Sequence, residues 1–345
     1  MLKLLLLVCL CELSLAAPSR LARLEKARDG VPGRYIVKVK LRGLDGVEYV
    51  EEDAIVRSNP TSQLNVRNER QPSTQAISWN LDRMDELELP LDGLFDVSPT
   101  AGYGVTVYIL SGGIRHTHVE FGGRASMHWD FQCANGGIDN QGEGTALASL
   151  VGGDLYGVAG GVTLKSVRVM DDFGNALWSD VIAGINSVAL ASGPRVGLVA
   201  MNGGPSTAVD QAVADALLFG AAIVVPAGDD NADACDYSPA REPSAATVSA
   251  IDDADTKSST TNTGSCLDYF CPGDTVPVAW YTSDAATSTV TGSKYAAAHA
   301  AGAVAIKLEE GLTPTEALKL PTAPGVKRKG FGSPDAIGLV NNKCC

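Results

Sequence analysis

The sequence predicts an α/β fold, a doubly wound and mainly parallel sheet flanked by helices, and three observations carry that expectation. Continuous apolar runs of strand length recur as "VTVYIL", "LKSVRVM", "GLVAMN" and "AAIVVPAG". Longer windows with helix-period apolar residues, "WSDVIAGINSVALAS" and "TAVDQAVADALLFG", alternate with them. The chain has 345 residues, 45% hydrophobic and 19% charged, enough to bury a large core. Strands buried on both faces show no polar alternation, and strand followed by helix, repeated, builds a parallel sheet with right-handed crossovers.

Taken from the start, residues 1–16, "MLKLLLLVCLCELSLA", show a lysine, an apolar run, and Ser14 and Ala16 before a cleavage point. This is the pattern of a secretory signal peptide and implies a secreted, extracellular protein. The run is too short to span a bilayer and no later stretch approaches about eighteen apolar residues, so no membrane insertion is expected. Residues 35–56 alternate around Asp45-Gly46, a hairpin signal, and the polar stretch "RSNPTSQLNVRNERQPSTQ" reads as a linker. Residues 17–70 therefore form a leading segment and 71–345 the main domain.

Near the end, "TGSKYAAAHAAG" reads as the start of a buried helix, with Gly292 and Ser293 supplying turn and cap chemistry. Lys294 stands at that helix's N-terminus, where the macrodipole opposes a cation, so its position calls for carboxylates nearby. In doubly wound sheets the site lies beyond the carboxyl ends of the strands, so the residues after "VYIL" and "AAIVVPAG" should border the cleft.

The formal charge of -13 argues against nucleic acid and anionic membranes as partners, since both need basic patches. Cys9 and Cys11 leave with the signal, and six cysteines remain in a compartment that permits disulfides. Six cysteines allow fifteen connectivities, and spacing alone does not choose among them. With no C-x-x-C pair, a zinc site is not expected.

The segments "WNLDRMDE", "YGVTVYIL", "HVEFGGRA", "YGVAGGVTLKSVRVMDDFGNA", "NADACDYSPAREPSAATVSAID", "GSCLDYFCPGD" and "AHAAGAVA" resemble, in order, those of the subtilases. The resemblance is to the proteinase K-like branch of these subtilisin-like serine proteases and runs from about Trp79 to Val340. "GRYIVKVK" and "VEYVEEDAIV" resemble the first and last strands of the subtilase propeptide, whose middle is absent, so a truncated propeptide hairpin is implied within 17–70.

Subtilases hydrolyse peptide bonds with Asp, His and Ser, plus an Asn that donates to the oxyanion. By resemblance those four positions hold Ser111 in "SGG", Glu143 in "GEGTA", Lys294 in "GSKYA" and Asp229 in "PAGDD". Serine cannot stabilise an imidazolium, and a carboxylate at the asparagine's place would repel the oxyanion. Loss of a whole triad removes about a millionfold in turnover. A lysine nucleophile would need apolar surroundings or neighbouring cations, whereas Glu143 and Asp229, expected beside Lys294, are the carboxylates its helix position demands.

The expectation is a catalytically inactive subtilase homologue, a monomer acting by binding an unknown protein or peptide partner. The alternatives are an active subtilisin-like serine endopeptidase and a decayed or mis-assembled gene product without function. The resemblance further implies structural calcium on Asp268 with the carbonyls of Pro243 and Ala245, and a Cys235–Cys266 disulfide. His116 and His118 in "IRHTHVEF", and His299, are read as structural, and His128 as a surface residue.

Overall fold

The four apolar runs become neighbouring strands of one sheet. The computed structural model describes residues 24–27, 29–39, 47–58, 62–67, 77–132, 136–330 and 332–340. The expected signal peptide, the Asp45-Gly46 turn, Cys133, Cys344 and Cys345 fall outside these residues. Across the sheet stand Thr322–Ala323, Ile337–Gly338, Tyr269–Pro272, Ala246–Ile251, Ala222–Pro226, Arg195–Val199, Thr106–Ser111, Thr163–Arg168 and Ala125–Asp130. Every neighbouring pair is parallel except the first, Thr322–Ala323 with Ile337–Gly338.

Side chains alternate between two cores because successive residues of a strand point to opposite faces. Val107, Ile109, Val196 and Leu198 join the core with helices Glu143–Gly152 and Ser293–Glu309. Tyr108, Leu110, Val199 and Ile223 join the core with helices Trp178–Ala189 and Thr207–Leu218. Burying each such aliphatic side chain stabilises the fold by about 1.5–3 kcal/mol. Strand order reverses direction between Thr106–Ser111 and Arg195–Val199, and the cleft opens at their carboxyl ends.

Helix Ser293–Glu309 runs through the centre with nearly every side chain buried, which its alanines permit. Its cap differs from the expected one. Gly292 adopts φ 153° and no side chain of the turn caps the helix. Asp229, from the loop after Ala222–Pro226, accepts from Ser293 N at 2.8 Å and from Ser293 Oγ at 3.0 Å. A carboxylate at a helix N-terminus satisfies an orphan amide and complements the dipole.

The leading segment forms the expected hairpin strands, Gly30–Val39 antiparallel to Val47–Arg57. A two-stranded hairpin is marginal alone, and this one is held by docking on the main domain. Asp53 accepts from Ser179 N at 3.1 Å and Ser179 Oγ at 2.8 Å, at the start of Trp178–Ala189. Glu51 Oε2 accepts from Ala208 N at 3.0 Å, at the start of Thr207–Leu218. The stretch read as a linker contains a strand instead, Ser62–Arg67, antiparallel to Thr287–Thr291.

Candidate functional site

Ser111 ends the strand Thr106–Ser111, and Glu143 opens the helix Glu143–Gly152. Their meeting depends on Gly144, where a Cβ would stand 1.8 Å from the carbonyl oxygen of Gly113. Asp139 fixes the helix start. Its Oδ1 accepts from Gly142 N at 2.7 Å, and its Oδ2 accepts from Thr145 N at 2.9 Å and Thr145 Oγ1 at 2.6 Å. Burial raises the Asp139 carboxyl above its ordinary range, and those hydrogen bonds pull against the rise.

Three of the four positions named from the sequence form one polar chain. Ser111 Oγ donates to Glu143 Oε1 at 2.8 Å, and Lys294 Nζ lies 2.6 Å from Glu143 Oε2. The side chains of Lys294 and Glu143 are only 4% and 3% exposed, so this is a buried ion pair. Asp229 stands at the same helix start but spends its oxygens on Ser293, so the carboxylate bonded to Lys294 is Glu143 alone among the two expected. Burial raises the Asp229 carboxyl, opposed by the Ser293 backbone bond and by the Lys294 charge.

A fourth contributor, Ser58, was not evident from the sequence. Its Oγ accepts from Lys294 Nζ at 2.8 Å and donates to Glu143 Oε2. Ser58 is where the leading segment crosses the cleft. Before it, Ile55, Val56 and Arg57 pair antiparallel with Leu177, Ala176 and Asn175, and Ser58 N donates to Gly174 O at 2.9 Å. After it, Ser62–Arg67 pairs with Thr287–Thr291, the strand that leads into the Lys294 helix. The leading segment thus pairs by its backbone with two rims of the cleft, and Ser58 places a side chain against Lys294 and Glu143.

The histidines are placed as follows. His299 is fully buried, with Nδ1 2.9 Å from Tyr295 O and Nε2 2.8 Å from Asn80 Nδ2, and burial lowers its pKa to about 4. This fits a neutral ring that donates from Nδ1 and accepts at Nε2. His118 bonds Ala286 O at 2.9 Å and caps a short turn through Glu120 N. His128 is not simply at the surface: its ring packs edge-on against Tyr108 at 4.9 Å. His116 is half-buried, and burial lowers its pKa.

The profile of the Subtilase family matches residues 102–322. The chain belongs to the subtilase family. This subtilase is 40% identical over 306 residues to the extracellular serine proteinase of Thermus sp. (strain Rt41A), covering 86% of this chain and 72% of that one. It is 41% identical over 272 residues to alkaline serine exoprotease A of Vibrio alginolyticus, spanning 78% of this chain but only 49% of that protein. The crystal structure of a cold adapted subtilisin-like serine proteinase superposes with a TM-score of 0.74 at 38% identity, covering 77% of this chain and 99% of that one.

These matches correct the expectation of an inactive, non-enzymatic homologue. The relatives carry the names of serine proteases across most of this subtilase's length, and the protease alternative has the support that the inactive reading lacks.

The Cys235–Cys266 disulfide is formed, with Cα atoms 5.4 Å apart. Cys271 is a buried thiol that burial pushes up to about 12. Of the expected calcium ligands, Asp268 accepts from Thr247 N at 2.8 Å, and burial raises its carboxyl. A second acidic group went unread in "LDRMDELELP". Asp82, Asp85 and Glu86 bring carboxylate oxygens within 4.8 Å of one another. Asp82 Oδ2 accepts from Gly93 N at 2.8 Å, while its buried Oδ1 has no hydrogen-bond partner. Hard oxygen ligands in this arrangement suit a divalent cation. Among the described residues no helix is long and apolar enough to cross a membrane.

Proposed function

We propose that this subtilase is an extracellular endopeptidase of the subtilisin-like kind, with residues 1–16 as its export signal, 17–70 as its leading segment and 71–345 as its protease domain. The observation that carries this reading is the similarity to the Thermus extracellular serine proteinase over 86% of the chain. The pairing of the leading segment's two strands with the cleft rims supports it independently. Backbone pairing along both rims is how a cleft takes an extended peptide, so the class of partner is a protein or peptide in β conformation.

Peptide hydrolysis needs a proton acceptor and a positive or hydrogen-bonding group for the developing oxyanion. At the cleft centre Glu143 is the group that can accept a proton, Lys294 is the one that can neutralise an oxyanion, and Ser111 orients Glu143. Structural calcium, common among subtilases, would be held by Asp82, Asp85 and Glu86, and the unpartnered buried Oδ1 of Asp82 supports that reading.

Casein digestion by protein whose leading segment has been cut at the exposed Arg67, which lies between Ser58 and the main domain, tests the reading. Hydrolysis is expected, and Glu143→Gln or Lys294→Met should lower it by about 10² to 10⁴-fold. An opened protein that leaves casein intact overturns the proposal. Covalent labelling by a fluorophosphonate would assign the chemistry to a serine, and hydrolysis without labelling would assign it to Glu143 and water.

A further inference from the structure

The leading segment and the main domain meet across a crowd of carboxylates. Asp53 and Asp180 face one another at the start of helix Trp178–Ala189. Glu51, Glu25 and Asp210 gather at the start of Thr207–Leu218, with Glu242 beyond Asp210. Among the described residues the cations facing them are few. Arg34 Nε lies 3.4 Å from Asp53 Oδ2, and Arg241 Nε donates to Asp210 Oδ2 at 2.7 Å. Glu51 and Asp53 are nearly fully buried by the docking, at 3% and 2% exposure.

We propose that the segment 24–57 is a proton-dependent latch, docked more tightly on the two helix starts in mildly acid than in neutral or alkaline solution. Loading several carboxylates into an interface where the described cations are the Arg34 and Arg241 guanidinium groups makes docking favour protonation. Asp180 shows the effect most strongly: burial first, then the Asp53 charge, raise its pKa to about 6, while Arg34 and a hydrogen bond from Gln132 hold it back. Glu51 is raised by burial and further by Glu25 and Asp210, against bonds from Ser206 and from the Ala208 amide.

The direction follows from linkage. A carboxylate whose pKa is higher in the docked state binds its proton more tightly there, so docking takes up protons and gains as pH falls. The gain is present below about pH 6 and is lost as pH rises through that value. This is the reverse of the usual salt-bridged carboxylate, whose pKa is depressed. If docking supplies a single unit of Asp180's rise, the docking constant falls about fivefold between pH 5 and pH 8.

The latch is independent of catalysis, and hydrogen exchange on the full-length chain reads it directly. Exchange is followed at pH 5, 6.5 and 8 and corrected for the intrinsic rate. Protection of the amides of residues 50–56 should fall about fivefold across that range, while that of the central strand Ala222–Pro226 stays constant. Asp180→Asn should flatten the dependence. The proposal is overturned if protection is constant, if it rises with pH, if the central strand loses protection equally, or if Asp180→Asn keeps the full slope.

Discussion

Two buried ion pairs in this subtilase look alike and are shielded in different ways. Arg83 Nε lies 2.7 Å from Asp255 Oδ1, and Arg83 also donates to the carbonyl of Glu86; its side chain is fully buried. Lys294 lies 2.6 Å from Glu143 and is 4% exposed. The first pair is enclosed by the main domain itself, tying the chain after helix Trp79–Asp82 to the 252–256 turn. The second sits at the floor of the cleft, where Ser58 of the crossing segment bonds both partners. Arg83–Asp255 is covered by the main domain, whereas the cover over Lys294–Glu143 includes Ser58 of the leading segment.

The comparison can be broken by removing the cations. Arg83→Ala leaves Asp255 buried without its partner and should destabilise the protein by about 4 kcal/mol. Urea unfolding measures this, and the loss should be equal before and after the leading segment is cut. Lys294→Met should cost about 3 kcal/mol in the intact chain, because Glu143 is then stranded under Ser58. Once the segment is cut and removed, water reaches Glu143 and the same substitution should cost only about 1 kcal/mol. Equal losses in the two forms would show that the domain alone buries the pair. The smallest expected effect comes from chelation. Removing a cation from Asp82, Asp85 and Glu86 should lower Tm by about 1 °C in both forms, because that cluster brackets Arg83 within the main domain.

The sheet was legible because burial on both faces leaves continuous apolar runs. "VTVYIL" and "AAIVVPAG" became Thr106–Ser111 and Ala222–Pro226, and both helical windows became helices. The site was legible in part. The dipole requirement at Lys294 called for a carboxylate, and Glu143 supplies it from 151 residues away. Ser58 was hidden because "SQLNVR" pairs through its backbone with Thr287–Thr291, and backbone pairing leaves no mark on composition. Asp229 stands beside Lys294 as expected and acts on it through charge, while its two oxygens bond the amide and hydroxyl of Ser293 next door. The acidic cluster at Asp82 was missed because its members interleave with the apolar residues of a short helix and the turn after it.

The segment paired with the cleft rims belongs to the same molecule as the cleft, and this sets the terms of any competition for it. A tethered ligand is present at an effective concentration of about millimolar, whatever the dilution of the protein. An outside peptide must therefore be compared with a rival that never diffuses away, and its apparent affinity is weakened by the ratio of covered to open clefts. Dilution does not free the cleft, and neither does washing. Cutting the chain between Ser58 and the main domain does, since it turns a resident strand into one that can leave and be outnumbered.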